Sequence, residues 1–142
     1  MSGVNPNSRS RAWALQMLYA WDLSDRDQTL VPFAEENLAL RNISARYRPY
    51  AETLLAELSD HFPMVDGRIQ ANLANWRLER LTAIDRSILR LATTELLAIP
   101  AVPTKVAIHE AIRLAERYGT DESPRFVNGV LDAVARDRTP SG

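Results

Sequence analysis

Two arginines near the start of the chain, Arg9 and Arg11, and an arginine–aromatic pair near its end, Arg125 and Phe126, are the residues best suited to chemistry with another molecule. A guanidinium is planar, permanently charged and able to hold a phosphate through two hydrogen bonds. An aromatic ring beside it offers a stacking face to an unpaired base. Gln16, Tyr19 and Leu23 follow Arg9 at helical spacing and share its stripe, while Glu122 lies in a short polar turn just ahead of Arg125. The same residue types also serve as ordinary surface and core. Phenylalanine at a helix start more often packs inward, and tyrosine commonly sits at a core edge with its hydroxyl in water. More than a hundred residues separate the two clusters, and their spacing leaves open whether they meet.

Catalysis finds little support. His61 and His109 are isolated, and Arg113 stands where a zinc helix would carry its second histidine after His109-Glu110. The chain has no cysteine and five glycines, with neither a glycine-rich phosphate loop nor a nucleophile elbow. Its carboxylates alternate with arginines, as at Glu79-Arg80 and Glu116-Arg117, in the manner of solvated helix faces. The expectation is a protein that is not an enzyme and needs no metal or cofactor. A net charge of -1 argues against non-specific coating of nucleic acid, although a local basic patch is compatible with it. Arg9 and Arg11 precede the first acidic residue, Asp22, so the N-terminal end is locally positive. No signal peptide and no membrane-spanning apolar run is readable.

The elements that must position these residues read as helix after helix. At 142 residues the length suits one domain with a real core, flanked by flexible tails at 1–8 and 138–142. From Ser10 to Ser24, Ala14, Leu18 and Trp21 form an apolar stripe that Leu15 and Met17 broaden. A short helix is expected from Phe33 to Leu40 after a polar loop ending in Pro32. A longer one follows from Ala45 to His61 with Pro49 in its first turn. Pro63 is expected to break that run, and Val65, Ile69, Leu73 and Trp76 carry a further helix from Met64 to Trp76. The strongest period lies between Leu78 and Ile99; Thr82 and Asp85 have capping-box spacing, which starts that helix near Ala83. Its broad stripe calls for cover on more than one side.

Pro103-Thr104 opens the next helix, with Thr104 as N-cap, and Gly119 closes it as a residue that turns left-handed at little cost. Ser123-Pro124 opens the last, the serine hydroxyl as N-cap and the proline at the first helical position. No segment alternates with a period of two, so the fold class is all-α.

Three stretches then carry a specific resemblance. Val102-Pro103-Thr104-Lys105-Val106-Ala107-Ile108-His109-Glu110-Ala111-Ile112 with Phe126-Val127-Asn128-Gly129-Val130-Leu131-Asp132 resembles the C-terminal signature of the NusB family. Arg9-Ser10-Arg11-Ala12 with Ala14-Leu15-Gln16 and Leu18-Tyr19 is similar to that family's opening helix. Ile84-Asp85-Arg86-Ser87-Ile88-Leu89-Arg90-Leu91-Ala92 with Glu95-Leu96 is similar to its central helix. The resemblance implies about seven helices in two packed bundles without a sheet. It also implies a cytoplasmic transcription antitermination factor that binds boxA RNA together with the ribosomal protein NusE. With other Nus factors it would help RNA polymerase read through terminators, notably in ribosomal RNA operons. Self-association in a homodimer that covers the RNA surface is a further arrangement the resemblance implies.

By matching positions, the resemblance places Arg9, Arg11, Gln16, Tyr19, Glu122, Arg125 and Phe126 on the RNA surface. It places Tyr19, Leu23 and Asp85 on the NusE side, with Asn128 and Gly129 structural. The same helical domain also occurs as the N-terminal module of ribosomal RNA cytosine methyltransferases, whose catalytic domain this sequence is not expected to include. One departure bears on strength: Asn7, Ser8 and Ser10 interrupt the arginine run that often opens the family. Fewer cations release fewer counterions, which predicts weaker RNA binding alone, a shallower salt dependence and greater reliance on NusE.

Overall fold

The computed structural model describes residues 7–24 and 27–138, and helices dominate it. Seven α-helices follow in order: α1 (Asn7–Leu23), α2 (Leu30–Leu40), α3 (Arg48–Asp60), α4 (Phe62–Ala71), α5 (Ala83–Ala98), α6 (Thr104–Tyr118) and α7 (Ser123–Ala135). A short 3₁₀ turn, Leu78–Arg80, lies between α4 and α5, and no strand occurs among the described residues. The all-α expectation is met. Of the expected tails, residues 1–6 and 139–142 lie outside the described residues, while Asn7 and Ser8 open α1.

The chain divides into two compact units, residues 1–60 and 61–142. In the first, α1 packs against α2 and α3, and α2 against α3. Ala14, Leu15, Met17, Leu18 and Trp21 of α1 are buried, as are Leu30, Ala34 and Leu38 of α2 and Ala51, Leu54, Leu55 and Leu58 of α3. The Trp21 indole donates to the Gln28 carbonyl at 2.9 Å, so its one polar atom is satisfied as it enters the core. α2 starts three residues earlier than the periodicity suggests. Pro32 falls in its first turn, where a missing N–H is harmless. α2 ends through Asn42, whose φ of 53° is the left-handed conformation that asparagine tolerates. Buried Ile43 then reaches back, its N–H meeting the Leu38 carbonyl at 3.5 Å.

In the second unit α5 packs against α4, α6 and α7, and α6 against α7. Every residue from Ser87 to Leu96 is buried, as its broad stripe required. Thr82 Oγ1 accepts the Asp85 N–H at 3.1 Å, so α5 is capped by the residue the sequence indicated. The buried Arg90 reaches Asp66 of α4 in a two-pronged pair at 2.8 and 2.9 Å, with its guanidinium 4.8 Å from the centre of the Phe62 ring.

Two helix limits differ from expectation here. Pro63 sits in the first turn of α4 rather than before it. α4 also stops at Ala71, short of Trp76, because Gln70 folds over the following loop. Its amide donates to the Trp76 carbonyl and accepts from the Leu78 N–H, both at 2.8 Å. Arg86 fixes the 3₁₀ turn from the other side, donating to the Leu81 carbonyl at 2.8 Å and to those of Leu78 and Glu79 at 3.4 Å. Trp76, read from its period as a helix-stripe residue, is thereby left 59% exposed.

Candidate functional site

The first unit presents its candidate residues along α1. A helix advances about 100° per residue, so Arg9, Gln16, Tyr19 and Leu23 fall on one side of it. Arg9 is exposed, Gln16 and Tyr19 are half-buried, and Leu23 keeps 60% of its surface in solvent. Arg11 behaves differently. Two residues on from Arg9, it points about 200° away, onto the same side as Ala14 and Leu18. It is 3% exposed, with its guanidinium 5.5 Å from the centre of the Tyr50 ring. Arg11, which the resemblance places on the RNA surface, is thus buried in this structure, unlike Arg9. Helical phase, which the sequence carries, is the signal that would have placed it inward.

The start of α3 adds residues that sequence reasoning does not single out. Ser10, fully buried, donates its hydroxyl to the Tyr47 carbonyl at 2.8 Å and so ties α1 to the turn before α3. The Arg9 guanidinium lies 5.7 Å from the Tyr47 ring centre, and that of exposed Arg46 lies 6.0 Å from it.

In the second unit the candidates cluster where α6 gives way to α7. Gly119 has φ -93° and ψ -164°, which any residue adopts, so the left-handed turn expected of it does not occur. Its need for glycine is steric. A Cβ at this position would lie 2.5 Å from Ser123 Oγ, 2.6 Å from Ser123 Cβ and 2.9 Å from the Ala115 carbonyl oxygen. Ser123 is 1% exposed and does not cap α7 as expected. Its hydroxyl instead accepts the Thr120 N–H at 2.9 Å, while the Ser123 N–H reaches the Thr120 carbonyl at 3.1 Å. This reciprocal pair closes the turn, and Pro124 follows in the first turn of α7. Thr104 likewise has no capping bond of its own; Pro103 holds the N-cap position, and Arg138 donates to Thr104 Oγ1 at 2.9 Å.

The α6–α7 turn leaves Glu122 and Arg125 exposed and Phe126 half-buried, three residues at positions i, i+3 and i+4 on one side of the start of α7. Asn128 and Gly129 are exposed in the next turn, and apart from the helix's own backbone nothing would come within 4 Å of a Cβ on Gly129. Gly129 therefore lacks the close-packed neighbour that a structural role for it would need.

Asp85, expected on a partner-facing side, is half-buried in the first turn of α5, and its Oδ1 is buried without a hydrogen-bond partner. Nearby in sequence, the exposed Glu79 carboxyl is held below the ordinary range, chiefly by its own backbone N–H and then by Arg77 at 2.8 Å. Among the described residues no three His, Asp or Glu side chains converge as metal ligands do. None of their helices is long and apolar enough to cross a membrane.

Comparison with known proteins gives this arrangement a context. The model of the NusB family matches residues 8–136. A transcription antitermination protein NusB from a Nitratiruptor species is 37% identical over 129 residues, covering 91% of each chain. Another from Sorangium cellulosum is 39% identical over 136 residues, covering 94% of each. Among solved structures, T. maritima NusB superimposes with a TM-score of 0.86 at 36% identity, over 96% of this chain and 94% of that one. A chain from the crystal structure of antitermination factors NusB and NusE in complex with dsRNA superimposes with a TM-score of 0.80 at 27% identity, over 92% and 96%.

Proposed function

This chain belongs to the NusB family, and from that premise we propose that it is a transcription antitermination factor that holds boxA RNA jointly with NusE. In this reading it works in the cytoplasm within the RNA polymerase antitermination complex, beside other Nus factors, and promotes readthrough, notably of ribosomal RNA operons. It is not an enzyme: the family is one of antitermination proteins. The observation that carries the reading is the likeness, over nearly the whole chain, to a structure of NusB and NusE with double-stranded RNA.

On the RNA side the proposal assigns Arg9, Gln16 and Tyr19 on α1 and Glu122, Arg125 and Phe126 at the start of α7. Arg9 and Arg125 are exposed cations suited to phosphates, and the uncovered part of the Phe126 ring suits a base. Arg11 is assigned to the same surface from beneath: buried against Tyr50, it fixes the part of α1 that carries Arg9. On the NusE side are Leu23, whose exposed apolar surface suits a protein partner, Tyr19 one turn before it, and Asp85, whose charge suits a basic ribosomal protein.

The test is co-purification with NusE, then a mobility shift on boxA RNA against a scrambled control. Arg125→Ala and Phe126→Ala should each weaken binding of boxA by the pair about tenfold, in keeping with roughly 1–3 kcal/mol for a stacked base. Asp85→Lys should abolish pairing while leaving the fold intact by circular dichroism. Unchanged RNA binding in both α7 variants would remove the assigned RNA surface, and normal pairing of Asp85→Lys would remove the assigned NusE face.

A further inference from the structure

The two longest stretches of this chain that carry arginine without any acidic residue are residues 1–21 and residues 37–51, the latter between Glu36 and Glu52. The fold of the first unit brings them together. Ser10 on α1 donates to the Tyr47 carbonyl at 2.8 Å, and Arg9 and Arg46, one from each stretch, both lie over the Tyr47 ring. In a chain with net charge -1 this is a concentration of positive charge that the composition conceals. Arg48 contributes less to it, because Glu52 stands 3.7 Å away one helical turn on.

The geometry is prepared rather than incidental. The left-handed Asn42 ends α2 and turns the chain. Ser44 then organises the next residues: its hydroxyl accepts the Arg46 N–H at 3.2 Å, and its carbonyl accepts those of Tyr47 and Arg48 at 3.0 and 3.2 Å. Exposed arginines ordinarily lose side-chain entropy when they bind. A ring that already restrains two of them lowers that loss. Each guanidinium offers its N–H donors in a fixed fork, which matches an acceptor with several oxygens. A phosphate is such an acceptor.

We propose that Arg46 and Tyr47, together with Arg9, form a phosphate-backbone site for an RNA strand, with Tyr47 as the scaffold and the two arginines as the contacts. The proposal rests on the RNA-binding reading and extends it to the start of α3, which that reading leaves without a role. It supplies part of what the interrupted arginine run lacks. The cation missing beside Arg9 in sequence is provided by Arg46 in space. A site of this kind contributes affinity without base preference, because phosphates carry no sequence information.

The experiment measures binding of labelled boxA RNA and a scrambled RNA by the protein–NusE pair across a salt series, by fluorescence anisotropy. Arg46→Gln should weaken both RNAs by a similar factor, roughly threefold to tenfold, and flatten the log–log salt slope by about one. Tyr47→Phe should bind as the parent does, because the ring face is kept, whereas Tyr47→Leu should weaken binding about twofold to fivefold with the salt slope little changed. Circular dichroism and pairing with NusE serve as controls for folding.

If Arg9→Gln and Arg125→Ala weaken binding but Arg46→Gln does not, the inference is overturned and the RNA-binding reading survives. If none of the three matters, the RNA surface itself is misassigned. Loss of NusE pairing in Arg46→Gln, with RNA binding by the lone protein unchanged, would make this a protein-binding face and overturn the inference as well.

Discussion

The turn before α3 and the α6–α7 turn both present an exposed arginine next in sequence to an aromatic residue, and they are built in opposite ways. At α3 the positions are set by side chains: the Ser10 hydroxyl, the Tyr47 ring and the Ser44 turn. At the α6–α7 turn they are set by the lack of one, since Gly119 lets Ser123 and the Ala115 carbonyl come where a Cβ would stand. A surface held by polar side chains tolerates graded change, because each contact contributes separately. A surface held by close approach does not, because packed atoms have little room to yield. The two regions should therefore respond very differently to small substitutions.

The largest effect is expected at Gly119. Gly119→Ala should destabilise by about 3 kcal/mol, the upper end of what overpacking costs, measured by denaturant unfolding. Two of the three close atoms belong to the Ser123 side chain, so Ser123→Gly in the same chain should recover part of that loss although it is itself unfavourable. Simple additivity of the two changes would mean that close approach is not the reason for glycine here.

A smaller effect separates the two arginines of α1. Arg11→Ala should cost about 2 kcal/mol, through lost packing and the lost contact with Tyr50. Arg9→Gln should leave stability within about 0.5 kcal/mol, as exposed substitutions do, and should weaken RNA binding. Equal stability losses in the two variants would contradict the opposite orientations the helix gives them.

These contrasts also mark how far the sequence can be read. Apolar spacing locates α1, α3 and α5, because each buries a continuous stripe and the period survives in the residues themselves, while proline and glycine punctuation locates α6 and α7. The Thr82 cap and the early Pro124 are legible for the same local reason. The end of α4 is not, since Gln70 closes it by reaching across the chain to Trp76 and Leu78, an interaction no periodicity encodes. Gly119 is found in the right place for the wrong reason: a glycine at a helix end signals a turn, but whether φ or proximity requires it depends on Ser123, four residues on. The burial of Arg11 is legible too, since helical phase places it on the side of Ala14 and Leu18. The pairing of Arg9 with Arg46 is out of reach, as it depends on how α1 and α3 pack.

The smallest expected effect runs in the opposite direction and completes the comparison of glycines. Gly129 sits mid-helix in α7 at an exposed position, with nothing beyond the helix's own backbone within 4 Å of where a Cβ would be. Glycine there is about 0.8–1 kcal/mol worse than alanine, by the entropy its backbone loses on folding. Gly129→Ala should therefore stabilise the protein by roughly 0.5–1 kcal/mol, raising the melting temperature by about 2–4 °C. The expected RNA affinity of the protein–NusE pair is unchanged within about twofold. Stabilisation together with an approximately tenfold loss of RNA binding would instead show that a partner comes close to the second turn of α7, one turn beyond Arg125. The bare helix surface would then be a requirement of the complex rather than of the fold, and the two glycines would differ only in which molecule supplies the close contact.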